Sequence, residues 1–131
     1  MAAGTTPIFP ATPKTWYGQV SAANANRDGT GTVVTIITGS ANGSRIDRIR
    51  IKAIVTTTAG MIRFYISLDN GTTKRLYHEE VVSAITVAAS TAAFETTILT
   101  PDLYLPDANA LLIASTEKAE AHNIVCHGAD F

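Results

Sequence analysis

The residues able to do chemistry gather in a few short stretches of this 131-residue chain. His122, Cys126 and His127 fall within six positions, and His78, Glu79 and Glu80 form a second cluster. Zinc needs three or four ligands converging on one point. On a strand, His122 and Cys126 share a face and His127 points the other way. Only two of them could meet, and nothing else in the chain marks a third ligand, so no metal site is expected. His122 and His127 are expected as surface or interface residues. Cys126, with no convincing base beside it, is expected as a small buried hydrophobe. Glu79 and Glu80 are adjacent, face opposite sides of a strand, and cannot work as a carboxylate pair.

Asn24, Asn26, Asp28 and Gly29 open like a calcium loop, with oxygen ligands at alternate positions and glycine at the sixth. The position that should hold a bidentate Glu is Thr35, inside a β-branched run, so a polar turn is expected instead. There is no glycine-rich phosphate loop, no nucleophile elbow and no ordering that hints at a triad. The expectation is a protein without catalytic residues, cofactor or metal.

What remains is recognition by charge and apolar contact. Arg45, Arg48, Arg50 and Lys52, with Arg63 on the following strand, could form a basic stripe. Such residues commonly line a solvated face or pair with carboxylates such as Asp47 and Glu95. They could also meet an acidic neighbour in an assembly. Five cations on a chain of net charge −1, with no aromatic stacking platform, do not make a nucleic-acid binder.

The elements that would position these residues are strands. Thr32–Thr38 is a β-branched run between Gly31 and Gly39. Ile49, Ile51, Ala53 and Val55 alternate with Arg48, Arg50 and Lys52. Ile62, Phe64, Ile66 and Leu68 alternate with Arg63, Tyr65 and Ser67. Asp69-Asn70-Gly71 is a hairpin turn signal, with a returning strand over about 74–82. Residues 83–91 are small and Ala-rich, but no capped periodic pattern supports a helix there. Further strands are expected around Phe94–Ile98, 110–116 and 121–127, and a first short one over 16–22. The fold class expected is all-β: one antiparallel β-sandwich, jelly-roll-like, of about eight strands.

Composition agrees with this and narrows the function classes. The chain is 46% hydrophobic and only 16% charged, against about 25% charged in an average protein. That excludes disorder, and no apolar run approaches the ~18–20 residues of a membrane helix. The N-terminus has neither the basic nor the apolar region of a secretory signal. Pro7, Pro10 and Pro13 make residues 1–15 an extended arm ahead of a domain over 16–131. Ile8, Phe9, Trp16 and Tyr17 give that arm something to bury, so they join Arg45, Arg48 and Arg50 as expected partner-binding residues.

Several stretches carry a resemblance: residues 6–13 of the arm, Asn42-Gly43-Ser44-Arg45-Ile46, residues 57–66, Arg75–Val82, Leu105-Pro106, and the ending Cys126-His127-Gly128-Ala129-Asp130-Phe131. Together they resemble small proteins encoded in the structural-gene region of tailed bacteriophages, of the head decoration (cement) type. The family ending is usually Gly-Gly-Asp plus an aromatic or aliphatic residue, and Ala129 departs from it. The resemblance implies a virion component on the outer head surface, made in the bacterial cytoplasm. It implies the major capsid protein as partner and self-association as a homo-oligomer, a trimer being favoured. It implies no nucleic acid and no membrane. The alternatives are a tail, neck or fibre-attachment protein of the virion, and a glycan-binding sandwich using Tyr65, Tyr77 and Tyr104.

Overall fold

Alternating apolar and polar residues give each strand a buried and an outward face, and a sandwich forms when two such sheets close over their apolar faces. The computed structural model describes residues 9–131. Its strands are β1 (Thr12–Val20), β2 (Val34–Thr38), β3 (Ser44–Ala53), β4 (Gly60–Ser67), β5 (Arg75–Val82), β6 (Glu95–Leu105), β7 (Leu111–Thr116) and β8 (His122–Asp130). One sheet has the order β1-β8-β3-β6 and the other β2-β7-β4-β5. All the paired strands are antiparallel. The chain changes sheets at every connection except β4 to β5. This is the expected antiparallel β-sandwich, with jelly-roll-like strand order.

The core lies between the sheets. Ile46, Ile49 and Ile51 of β3, with Ile124 and Cys126 of β8, face Ile62 and Phe64 of β4 and Leu112 of β7. The β4–β5 turn contains the residues its geometry demands. Asn70 has φ 59° and Gly71 φ 92°, the left-handed region that Asn and Gly tolerate. The Asp69 carboxylate accepts from the Thr73 backbone N–H and the Ser67 hydroxyl, which pulls its pKa below the ordinary value.

One expected boundary is corrected. The arm does not extend to residue 15, because β1 begins at Thr12 and pairs with β8 from Thr12↔Asp130 to Val20↔His122. Pro13 fits there because β1 is an edge strand, where a missing N–H can face solvent. The Ala-rich stretch holds no helical turn, in line with its lack of a capped periodic pattern. It is an irregular crossing held by the bridges Thr57↔Ile85 and Ala88↔Thr91. Leu103 and Leu105 of β6, just ahead of Pro106, are core residues.

In β3 the alternation breaks between Ile46 and Arg48. Asp47 is an extra residue there against β8, so both Ile46 and Ile49 point inward although three positions apart. Opposite it, Thr100 to Asp102 leave the regular register of β6, and the Thr100 hydroxyl donates to the Ile46 carbonyl.

Candidate functional site

The two outer faces of the sandwich are treated differently. Over the β2-β7-β4-β5 sheet lies the chain's own β1–β2 loop. Ala23 bridges Thr116, the Asn24 N–H donates to the Thr116 carbonyl, and the Tyr65 hydroxyl donates to the Asn26 carbonyl at 2.8 Å. Beneath the loop Tyr65, Leu111 and Ile113 form a second buried cluster, with Val33 against it. Arg63 is 3% exposed in the same layer. Its Nε donates to Glu79 Oε2 at 2.9 Å, and Arg27 Nε of the loop donates to that oxygen at 2.8 Å. The two guanidinium groups hold the Glu79 carboxyl below its ordinary pKa. Arg63 therefore does not extend a basic stripe from β3: it lies in the other sheet, buried and ion-paired to Glu79. Tyr65 is likewise no exposed platform for a sugar, because the loop buries it.

The calcium-like residues serve this loop. Asn24 Nδ2 donates to the carbonyls of Thr30 and Thr32, while Asp28 accepts from the Thr30 hydroxyl and N–H, which lowers its pKa. Asn24 and Asp28 thereby spend their side chains on the turn itself.

Among the described residues, the outer face of the β1-β8-β3-β6 sheet has no such cover. Strand register sets out its rows: Thr15–His127–Arg48–Leu99, then Tyr17–Val125–Arg50–Thr97, then Gln19–Asn123–Lys52–Glu95. Tyr17 is 80% exposed and Leu99 74%. Of the expected partner-binding residues, the structure brings Tyr17, Arg48 and Arg50 together on this face. Arg45 lies at its far end, where Nε is 2.9 Å from Oδ1 of Asp47, the extra residue of the bulge. The Lys52 ammonium donates to the Ala93 carbonyl, and Gln19 donates across the strands to Asn123. Among the described residues Arg48 and Arg50 have no ion pair.

Trp16 separates from this group. It sits in register with Cys126 and Ile49, half-buried against the core, because neighbouring residues on a strand point to opposite faces. Phe9 is 71% exposed where the arm leaves the sheet, just before the Ala11 N–H bonds the Asp130 carbonyl. Ile8 lies outside the described residues.

The remaining reactive groups are inward. Cys126 is buried as expected, and burial pushes its thiol up to about 12. His122 is a correction: it is buried in β8, with Phe94 edge-on to its ring. Nδ1 lies 2.8 Å from the Glu120 carbonyl, which can only accept, so Nδ1 carries the proton and Nε2 is left without a partner. Burial lowers the His122 pKa. Among the described residues, no three His, Cys, Asp or Glu side chains converge to hold a metal ion.

A concavity of about 690 Å³ opens at the end of the sandwich, lined by Asn42, Ser44, Tyr104, Leu105, Pro106 and Phe131 among others. The sequence reading does not anticipate it. Its one signal is an aromatic last residue, Phe131, whose N–H donates to the Gly43 carbonyl of the β2–β3 turn.

No family model matches the chain, and no curated protein matches it in sequence. Among solved structures that match, one chain of the cyanophage Pam1 capsid asymmetric unit is 15% identical at a TM-score of 0.45. That match covers 100% of this chain and 94% of the other.

Proposed function

We propose that the chain is a non-enzymatic structural component of a tailed-phage virion, a decoration protein that binds the outer head surface as an oligomer. One observation carries this reading beside the sequence resemblance: the surface is divided. The chain's own loop covers the centre of one outer face, leaving Val81 of the β5 edge exposed, and among the described residues nothing covers the other, where Tyr17 and Leu99 protrude. Aromatic and aliphatic side chains at such exposure suit a contact with a neighbouring protein. The apolar arm, with Phe9 exposed, leaves from the edge strand of that same bare sheet.

The test is to label the chain within intact virions and image where it lies. Label on the outer head surface is the expected result. Label at the tail, neck or fibres moves the protein to those structures. Absence from the particle overturns the reading, and binding on a glycan array then points to host adhesion through exposed aromatics such as Tyr77 and Tyr104.

A further inference from the structure

We propose that the bare face of the β1-β8-β3-β6 sheet docks an acidic protein surface, with Arg48 and Arg50 as its carboxylate-binding residues. The chain's overall charge is −1, yet this face presents Arg48, Arg50 and Lys52 at alternate positions of a central strand. Alternate residues on a strand stand about 6.7 Å apart on one side. The cations thus form a short straight line rather than a diffuse cloud.

The neighbours in register make this line an unanswered one. Arg48 has His127 and Leu99 beside it, and Arg50 has Val125 and Thr97. None of these is a carboxylate. Glu95 stands opposite Lys52, at the end of the line. Elsewhere the fold pairs three of its arginines: Arg27 and Arg63 share Glu79, and Arg45 has Asp47. Among the described residues Arg48, Arg50 and Arg75 have no ion pair, and of these Arg48 and Arg50 stand side by side on the outer face that no described loop covers, while Arg75 is alone on β5.

The occupant follows from that chemistry. A guanidinium presents planar paired donors that match a carboxylate, and it keeps its charge when water is excluded. Tyr17 and Leu99, at the β1 and β6 edges, frame the line with apolar contact. Apolar and aromatic groups around arginine are the composition of a protein interface. A nucleic acid would call for more cations spread along a track than this short line supplies. The inference deepens the virion reading and rests on it for where the acidic partner sits.

Retention of the full chain on immobilised poly-L-glutamate tests the face by itself. The double variant Arg48→Gln/Arg50→Gln is compared with Arg75→Gln/Lys118→Gln, which removes the same charge from exposed positions elsewhere. Wild type and the second variant are expected to elute together, and the first variant at markedly lower salt. Its affinity in solution should fall about tenfold. Unchanged far-ultraviolet circular dichroism and melting temperature show that both variants are folded. Equal elution of the two variants, or no retention of wild type, overturns the proposal. Tighter retention on duplex DNA than on polyglutamate overturns it in favour of a nucleic acid. Because the assay contains no virion, its failure is separate from failure to find the protein on heads.

Discussion

His122 shows how a residue with catalytic chemistry becomes a structural one. Its ring donates through Nδ1 to the Glu120 carbonyl and packs beside Phe94, while Nε2 is buried without a partner. A second proton would have to sit on that buried nitrogen, so burial holds the folded-state pKa below its ordinary value of 6.5. The unfolded chain then binds more protons than the folded one as pH drops below that value. Stability is therefore fully present above the unfolded pKa and declines as pH falls toward the folded pKa. Urea unfolding at about pH 7.5 and about pH 5 should show wild type losing stability on acidification. His122→Asn should be less stable at the higher pH but show a shallower loss between the two. An identical slope in both proteins would remove His122 as the cause.

At the scale of elements, the β1–β2 loop and the β3 bulge each depend on one contact. Tyr65 anchors the loop through its ring in the second buried cluster and its hydroxyl on Asn26. Tyr65→Phe should cost about 1 kcal/mol, the usual net worth of one hydrogen bond, with the loop still seated. Tyr65→Ala should cost about 3–5 kcal/mol and speed hydrogen exchange at Asn24 and Asn26 far more than in β3. Uniform acceleration across both regions would mean that the loop is not a separate unit. At the bulge, Gly128 of β8 lies beside Ile46, and a Cβ there would land on the Arg45 carbonyl. That obstacle is backbone, so Gly128→Ala must push β3 and β8 apart. It should lower stability by at least about 2 kcal/mol in thermal or urea unfolding.

For the whole molecule, the low charge is divided between two uses. Part of it reflects a second core layer, where the loop buries Tyr65, Leu111 and Ile113 on what would otherwise be an open sheet face. The rest remains outside, in residues such as Phe9, Tyr17, Leu99, Val81 and Leu68. The arm's role is separable from the fold because β1 begins at Thr12. Deleting residues 1–11 should leave the circular dichroism spectrum intact and the melting temperature within a few degrees of wild type. Occupancy on virions should fall to near background. Undiminished occupancy would show that the arm does not anchor the chain to the particle. Deleting residues 1–15 instead removes part of β1, and should destabilise the sandwich as well.

The sequence by itself determined the local geometry of most strands and turns. Ile49, Ile51 and Ala53 against Arg48, Arg50 and Lys52 require a strand with one wet face, since side chains alternate across the pleat. Asn70 and Gly71 require a tight turn, since few other residues tolerate positive φ. Arg48 and Arg50 were legible as outward-facing residues for the same local reason. Only the tertiary structure decided which faces meet and which are covered. Arg63 and Tyr65 obey the alternation and point away from the main core, yet they are buried because a loop distant in sequence folds over them. Arg48 and Arg50 obey the same rule and stay bare because nothing in the described chain returns to that side. Burial on an outer face is a long-range event, set by strand order and loop path, and alternation along one strand carries no record of it.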